Sequence, residues 1–169
     1  MKFDPYYVST KKPWFGKVSI DTDWNREMKF LDSHPSDCID TNEEKVRIYL
    51  NSCLKRASLS PWAKDIGADM RKFFHQNPIT LIKFYSFGYD GQSYPWHKDK
   101  MDVFLVQGIG RAKIRVENTY TENAAIDFLP GDCVFIPRGT HHEIAPQESR
   151  VTYSFGVEHE PDPATYIAI

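Results

Sequence analysis

The spacing of apolar residues changes near residue 79, and that change divides the chain. Upstream, two stretches carry apolar residues at helical spacing. In the first, Val46, Tyr49, Leu50, Cys53 and Leu54 follow the start signals Thr41, Glu43 and Glu44, which predicts a helix ending near Ser58. The second opens at Ser60-Pro61 with proline at the first helical position. Its stripe of Trp62, Ile66, Met70, Phe73 and Phe74 is core-facing, and Asn77-Pro78 stops it. Residues 1 to about 40 are aromatic and dotted with proline. A strand around Lys17–Ile20 and a short helix over Trp24–Leu31, capped by the Asp21–Asp23 signals, are expected there, as a wrap over the barrel or a lid that carries substrate contacts.

From Ile79 to about residue 158 the pattern is that of strands: ITLIKFYSF, MDVFLVQ, RAKIRVE, AIDFL, DCVFI, HEI and SRVTYSFGV. Gly108-Ile109-Gly110, Pro130-Gly131-Asp132 and Pro137-Arg138-Gly139 supply turns between them. This predicts a mainly β domain with N-terminal helices, built as a sandwich or barrel. The expected organisation is one domain, with a wrap and two helices over 1–78, a β-barrel over 79–158 and a tail over 159–169.

Composition narrows the function classes. A formal charge of −2 gives no electrostatic footprint for nucleic acid, and no apolar run suits a membrane span. The three cysteines, Cys38, Cys53 and Cys133, are widely spaced without a CxxC pair. That argues against a disulfide framework or a structural zinc site, and the expected location is the cytoplasm.

The candidate chemistry lies in two segments. His97-x-Asp99 puts an imidazole and a carboxylate two residues apart, so on a strand both point to one face. A second segment, FLPGDCVFIPRGTHHEI, offers His141 and His142, which face opposite ways. Two histidines and one carboxylate form a facial triad, the ligand set that leaves open positions on non-haem Fe(II). Nearby rows carry charge. Arg111, Lys113 and Arg115 alternate with Ala112, Ile114 and Val116, as on a half-exposed strand. Arg150, Thr152 and Ser154 alternate with Val151, Tyr153 and Phe155, and either set could face inward. Lys83 and Tyr85 share one face of the first barrel strand.

The spacing Gly131-x5-Pro137-x-Gly139-x2-His142, with Gly91-x5-His97-x-Asp99 before it, is similar to the paired cupin signature. HKDKMDVFLVQGIGRAKIRV and the later YSFG resemble JmjC-type cupins, specifically the small bacterial ribosomal-protein hydroxylases, over about residues 91–157. The resemblance implies a double-stranded β-helix (a cupin or jelly-roll barrel) that binds Fe(II) and uses 2-oxoglutarate and O₂ to hydroxylate an unactivated C–H bond. It assigns His97, Asp99 and His142 as iron ligands; His141, facing the other way on its strand, is expected in a supporting or substrate-facing place. The family usually has a Lys or Arg fifteen residues after the first ligand histidine, and Ala112 stands there in this chain. In other 2-oxoglutarate oxygenases an arginine of the last strand, helped by a hydroxyl two residues on, holds the distal carboxylate. Arg150 and Thr152 fit that spacing, and Lys83 with Tyr85 is the second place for a carboxylate partner. Those hydroxylases also continue into dimerisation and winged-helix regions, so the expected substrate stays open between a protein and a small molecule. A 2-oxoglutarate-independent cupin dioxygenase or isomerase, or a cupin binding module, are the alternatives.

Overall fold

The computed structural model describes residues 9–41, 47–75, 77–87 and 95–159. Its strands form two antiparallel sheets. The larger has the order β1 (Trp14–Lys17), β9 (Asp132–Ile136), β6 (Asp102–Ile109), β11 (Arg150–Val157), β4 (Ile79–Ser86), β3 (Arg47–Leu50) and β2 (Ile39–Thr41). The smaller has the order β5 (His97–Lys98), β10 (His141–Pro146), β7 (Ala112–Val116) and β8 (Ile126–Phe128).

Strand alternation sorts the apolar residues into two cores. Leu105, Ile114, Val116, Phe128, Val134 and Ile136 fill the space between the sheets. Their neighbours Phe104, Val106, Tyr153 and Phe155 point to the outer face of the larger sheet. That face is covered by α1 (Trp24–Asp32) and α2 (Pro61–Phe73) through Phe30, Ala63, Ile66 and Met70. Strand β11, central in a sheet covered on both sides, is buried at all eight positions.

Helix α1 starts at Asp23, whose carboxylate accepts a 2.9 Å hydrogen bond from the Arg26 backbone N–H. One turn later it delivers Glu27 into the outer core. There the carboxylate receives Lys83 Nζ at 2.9 Å, the Tyr85 hydroxyl at 2.7 Å, the Thr22 hydroxyl at 2.9 Å and the Tyr153 hydroxyl. Lys83 Nζ also lies 3.5 Å from the centre of the Phe30 ring. Burial pulls the Lys83 ammonium below its ordinary value, and Glu27 opposes that shift. Burial, then the carboxylate, pushes the Tyr85 and Tyr153 hydroxyls up, so both stay protonated as donors.

Three expectations need correcting. The helix drawn over residues 41–58 is absent where the structure describes the chain: Arg47–Leu50 is a strand paired with both β2 and β4, and Cys53–Lys55 is a short 3₁₀ turn. The apolar residues had helical spacing, but an open sheet edge at β4 claims Ile48 and Leu50, and Ser52 takes a left-handed φ of 58° that ends any regular run. Its proposed start at Glu43 and Glu44 lies outside the described residues. The strand expected at Lys17–Ile20 sits three residues earlier, where Trp14–Lys17 pairs with β9. The N-terminal part is therefore not merely a wrap: β1, β2 and β3 extend the larger sheet beyond the strands expected after residue 79. The tail expected over 159–169 lies outside the described residues except for His159.

Removing Glu27 strands a buried ammonium. Glu27→Ala should cost about 3–5 kcal/mol in urea unfolding. Glu27→Met with Lys83→Met, which removes both charges, should recover part of that loss, since the Tyr85 and Tyr153 hydroxyls still lack their acceptor.

Candidate metal centre

The register of two short strands builds the site. In the β5–β10 pair, His97 stands directly opposite His142, and their rings sit 4.4 Å apart between centroids. Asp99 follows two residues after His97 on the same face. Its carboxylate oxygens lie 3.7 Å from His97 Nε2 and 3.5 Å from His142 Nε2. All three donors fall within 4.8 Å of one another. None of these separations is a good hydrogen bond, so the three groups converge without satisfying each other.

The other ring nitrogen of each histidine meets a carbonyl. His97 Nδ1 is 2.8 Å from the Pro95 oxygen, and His142 Nδ1 is 3.2 Å from that of Thr140. A neutral imidazole donating from Nδ1 presents its Nε2 lone pair inward, the arrangement that orients metal-binding histidines. Burial holds His142 below the ordinary imidazole value, which favours that neutral form. The donor set thus fits a divalent transition metal, with open positions left on the ion. Exposure is uneven: the His142 side chain is 5% accessible, against 32% for His97 and 35% for Asp99.

Hydrogen bonds tie the two ligand segments together. The Gly139 N–H donates to the Asp99 carbonyl at 2.9 Å, from a turn in which Gly139 has a φ of +78°. Asp102 is nearly buried; one oxygen accepts from the Arg138 N–H at 2.7 Å, and the other lies 2.7 Å from His159 Nε2. Asp102 lies three residues after Asp99, within the HKDKMDVF stretch of the resemblance.

A cavity of about 100 Å³ opens beside the triad, with Phe84, Leu105, Ile144, Arg150, Thr152 and Ser154 as its other walls. The polar row of β11 therefore faces the triad. Ala112 is fully buried between the sheets, while Lys113 pairs with Asp127 at 2.8 Å on the outer side. Lys83 and Tyr85 are placed elsewhere. They share a face, as alternation requires, but it is the outer face, and the carboxylate they meet is that of Glu27. Phe84 between them is the residue that reaches the cavity. A larger cavity of about 440 Å³ lies on that outer side, beside Glu27 and Lys83, and includes none of the triad.

His141 also faces outward. Its Nδ1 lies 3.0 Å from Glu117, whose carboxyl is held below its usual value, first by the His141 backbone N–H. The ring stacks on Trp96, with centroids 5.9 Å apart and planes within 6°. Arg115 approaches the Trp96 ring at 4.8 Å and pairs with Glu143. Gly91, part of the expected signature, lies outside the described residues.

No protein-family model matches the sequence, and no curated protein matches it. Solved structures do. A ribosomal oxygenase of Escherichia coli, YcfD, aligns over 96% of this chain and 52% of its own, with 20% identity and a TM-score of 0.67. The chain is a double-stranded β-helix. A second crystal structure of that oxygenase aligns over 98% of this chain and 54% of its own, at 17% identity and TM-score 0.68. A third, in complex with cobalt and 2-oxoglutarate, aligns over 96% and 53%, at 18% identity and TM-score 0.66. The chain thus spans about half the length of these β-helix proteins, and identities this low establish the fold alone. No helix among the described residues is long and apolar enough to cross a membrane.

Metal analysis after anaerobic loading should show loss of stoichiometric Fe(II) in His97→Ala and in His142→Ala, and retention in His141→Ala. Asp102→Ala should bind the ion more weakly than Asp102→Asn, which keeps an oxygen for the Arg138 N–H.

Proposed function

We propose that the protein is an Fe(II)- and 2-oxoglutarate-dependent oxygenase that hydroxylates an unactivated C–H bond of a protein or small-molecule substrate. The observation that carries this reading is the placement of Arg150 in the same cavity as the His97–Asp99–His142 triad. Among the described residues lining that cavity, Arg150 is the one permanently charged cation. The E. coli oxygenase that binds cobalt and 2-oxoglutarate supports it, because its barrel is superposable on this one.

With 2-oxoglutarate and O₂, a bound Fe(II) supplies oxidising power sufficient for an unactivated C–H bond. The chain's own groups have narrower tasks. His97, Asp99 and His142 would hold the ion. A dicarboxylate bound in this cavity would place one carboxylate deep in the barrel. Leaving that charge buried and unpaired costs several kcal/mol, on the order of the effective per-ion penalty, so a cation must meet it. Arg150 does so with parallel N–H donors that a lysine lacks. Ala112, buried between the sheets, brings no charge of its own. Phe84, Leu105 and Ile144 give the cavity its apolar walls. The more exposed His97–Asp99 side is where a substrate approaches.

The test is an anaerobic titration of Fe(II)-loaded protein with 2-oxoglutarate, followed by its visible charge-transfer band. Wild type should develop the band. Arg150→Ala should need at least tenfold more 2-oxoglutarate, as expected for loss of a charged hydrogen bond worth roughly 1.5–3 kcal/mol, with Fe(II) affinity nearly unchanged. If wild type holds Fe(II) without binding 2-oxoglutarate, the 2-oxoglutarate-independent cupin enzyme becomes the better reading.

A further inference from the structure

Behind Arg150 lies a chain of four hydrogen bonds whose direction is fixed by donor chemistry. It begins at Gln107, a fully buried polar residue on β6. The Gln107 amide nitrogen donates at 2.9 Å to the Ile109 carbonyl and at 2.9 Å to the Gly110 carbonyl. Carbonyl oxygens only accept, so the amide cannot be turned over without setting oxygen against oxygen twice. Gln107 Oε1 must therefore face Thr152 Oγ1, 2.7 Å away, and the hydroxyl must donate to it. With its single proton committed, Thr152 receives the Arg150 Nη1–H on a lone pair.

The backbone is shaped for this contact. Across β6 and β11, Val151 pairs with Ile109 but Thr152 pairs with Gln107, so Gly108 is an extra residue in a β-bulge. The bulge brings the carbonyls of residues 109 and 110 back over the Gln107 amide. Gly110, with a φ of +72°, lies against the backbone of β11. A Cβ there would stand 2.1 Å from the Ser149 oxygen and 3.1 Å from the Arg150 Cα.

We infer that Gln107 is a positioning residue that sets the guanidinium plane of Arg150 through Thr152, and thereby the affinity for the distal carboxylate of the cosubstrate. The inference rests on the proposed role of Arg150. It assigns Thr152 a different task from the one that the spacing shared with other 2-oxoglutarate oxygenases implies. The hydroxyl is an orienting acceptor for the arginine, since its proton is spent on Gln107 rather than offered to the ligand carboxylate.

The two tasks predict opposite results. If Thr152 held the carboxylate itself, removing the Gln107 acceptor would release its proton to the ligand, and binding would hold or tighten. If the chain orients Arg150, binding must weaken. We would titrate Fe(II)-loaded protein anaerobically with 2-oxoglutarate in wild type, Gln107→Leu, Thr152→Val, Thr152→Ser and the Gln107→Leu/Thr152→Val double variant. Gln107→Leu and Thr152→Val should each weaken binding about tenfold. The double variant should be little worse than either, because both break one chain, and Thr152→Ser should bind like wild type. Fe(II) affinity should be the same in all five proteins. Gln107→Leu binding as tightly as wild type, or tighter, overturns the inference.

A wild type that fails to bind 2-oxoglutarate overturns the cosubstrate role of Arg150 instead. The orientation of Arg150 is then read directly, from nitrogen-15-resolved side-chain NMR signals of the ligand-free protein. Hindered guanidinium rotation in wild type and averaging in Gln107→Leu supports the chain, whereas identical signals overturn it. Gln107→Met, of similar length, substitutes if the leucine variant does not fold. Thr152→Val gives the same NMR comparison with the Gln107 amide still bonded to both carbonyls.

Discussion

Strand β11 is buried on both faces along its whole length, and the rest of the structure is arranged around that constraint. A half-exposed strand could send its polar row to water. This one cannot, so Arg150, Thr152 and Ser154 must find partners inside, as Tyr153 must on the other side. The inner row becomes the wall of the cavity beside the triad. The outer row meets a carboxylate brought by α1. The helical layer therefore does more than cover apolar area, because it supplies the one acidic group that lets Lys83, Tyr85 and Tyr153 be buried.

The triad was the most legible part of the sequence because its information is local. His97 and Asp99 share a face by the two-residue period of a strand, and the Gly139-x2-His142 turn fixes which histidine points inward. The placement of Arg150 depends on something a period cannot carry. Alternation states which residues share a face but not which face meets the cavity, so it does not by itself separate Arg150 with Thr152 from Lys83 with Tyr85. The difference is made by Glu27, which in sequence is an ordinary acidic residue in the first turn of a short helix. Its partner Lys83 is 56 residues away, and only the docked helix joins them.

The misread segment before Ser58 shows the same limit from another side. Val46, Tyr49, Leu50, Cys53 and Leu54 do repeat at helical intervals, yet pairing with β4 outweighs local preference at Arg47–Leu50. Gln107 opens the QGIG stretch that carries part of the resemblance, but nothing in that stretch says what its side chain does. Its meaning comes from the bulge at Gly108, a feature of how two strands register rather than of either strand alone.

The uneven exposure of the three metal-facing groups has a kinetic side. His142 is anchored in β10 beneath the sheet surface, while His97 and Asp99 stand a third open to solvent. An ion arriving from water would meet the more exposed pair first and His142 last. Departure would run the same route in reverse, so a chelator would compete for the outer two donors first. The lifetime of a bound metal would then be set at the rim of the barrel, and a substrate lying across that rim would lengthen it without touching the ion.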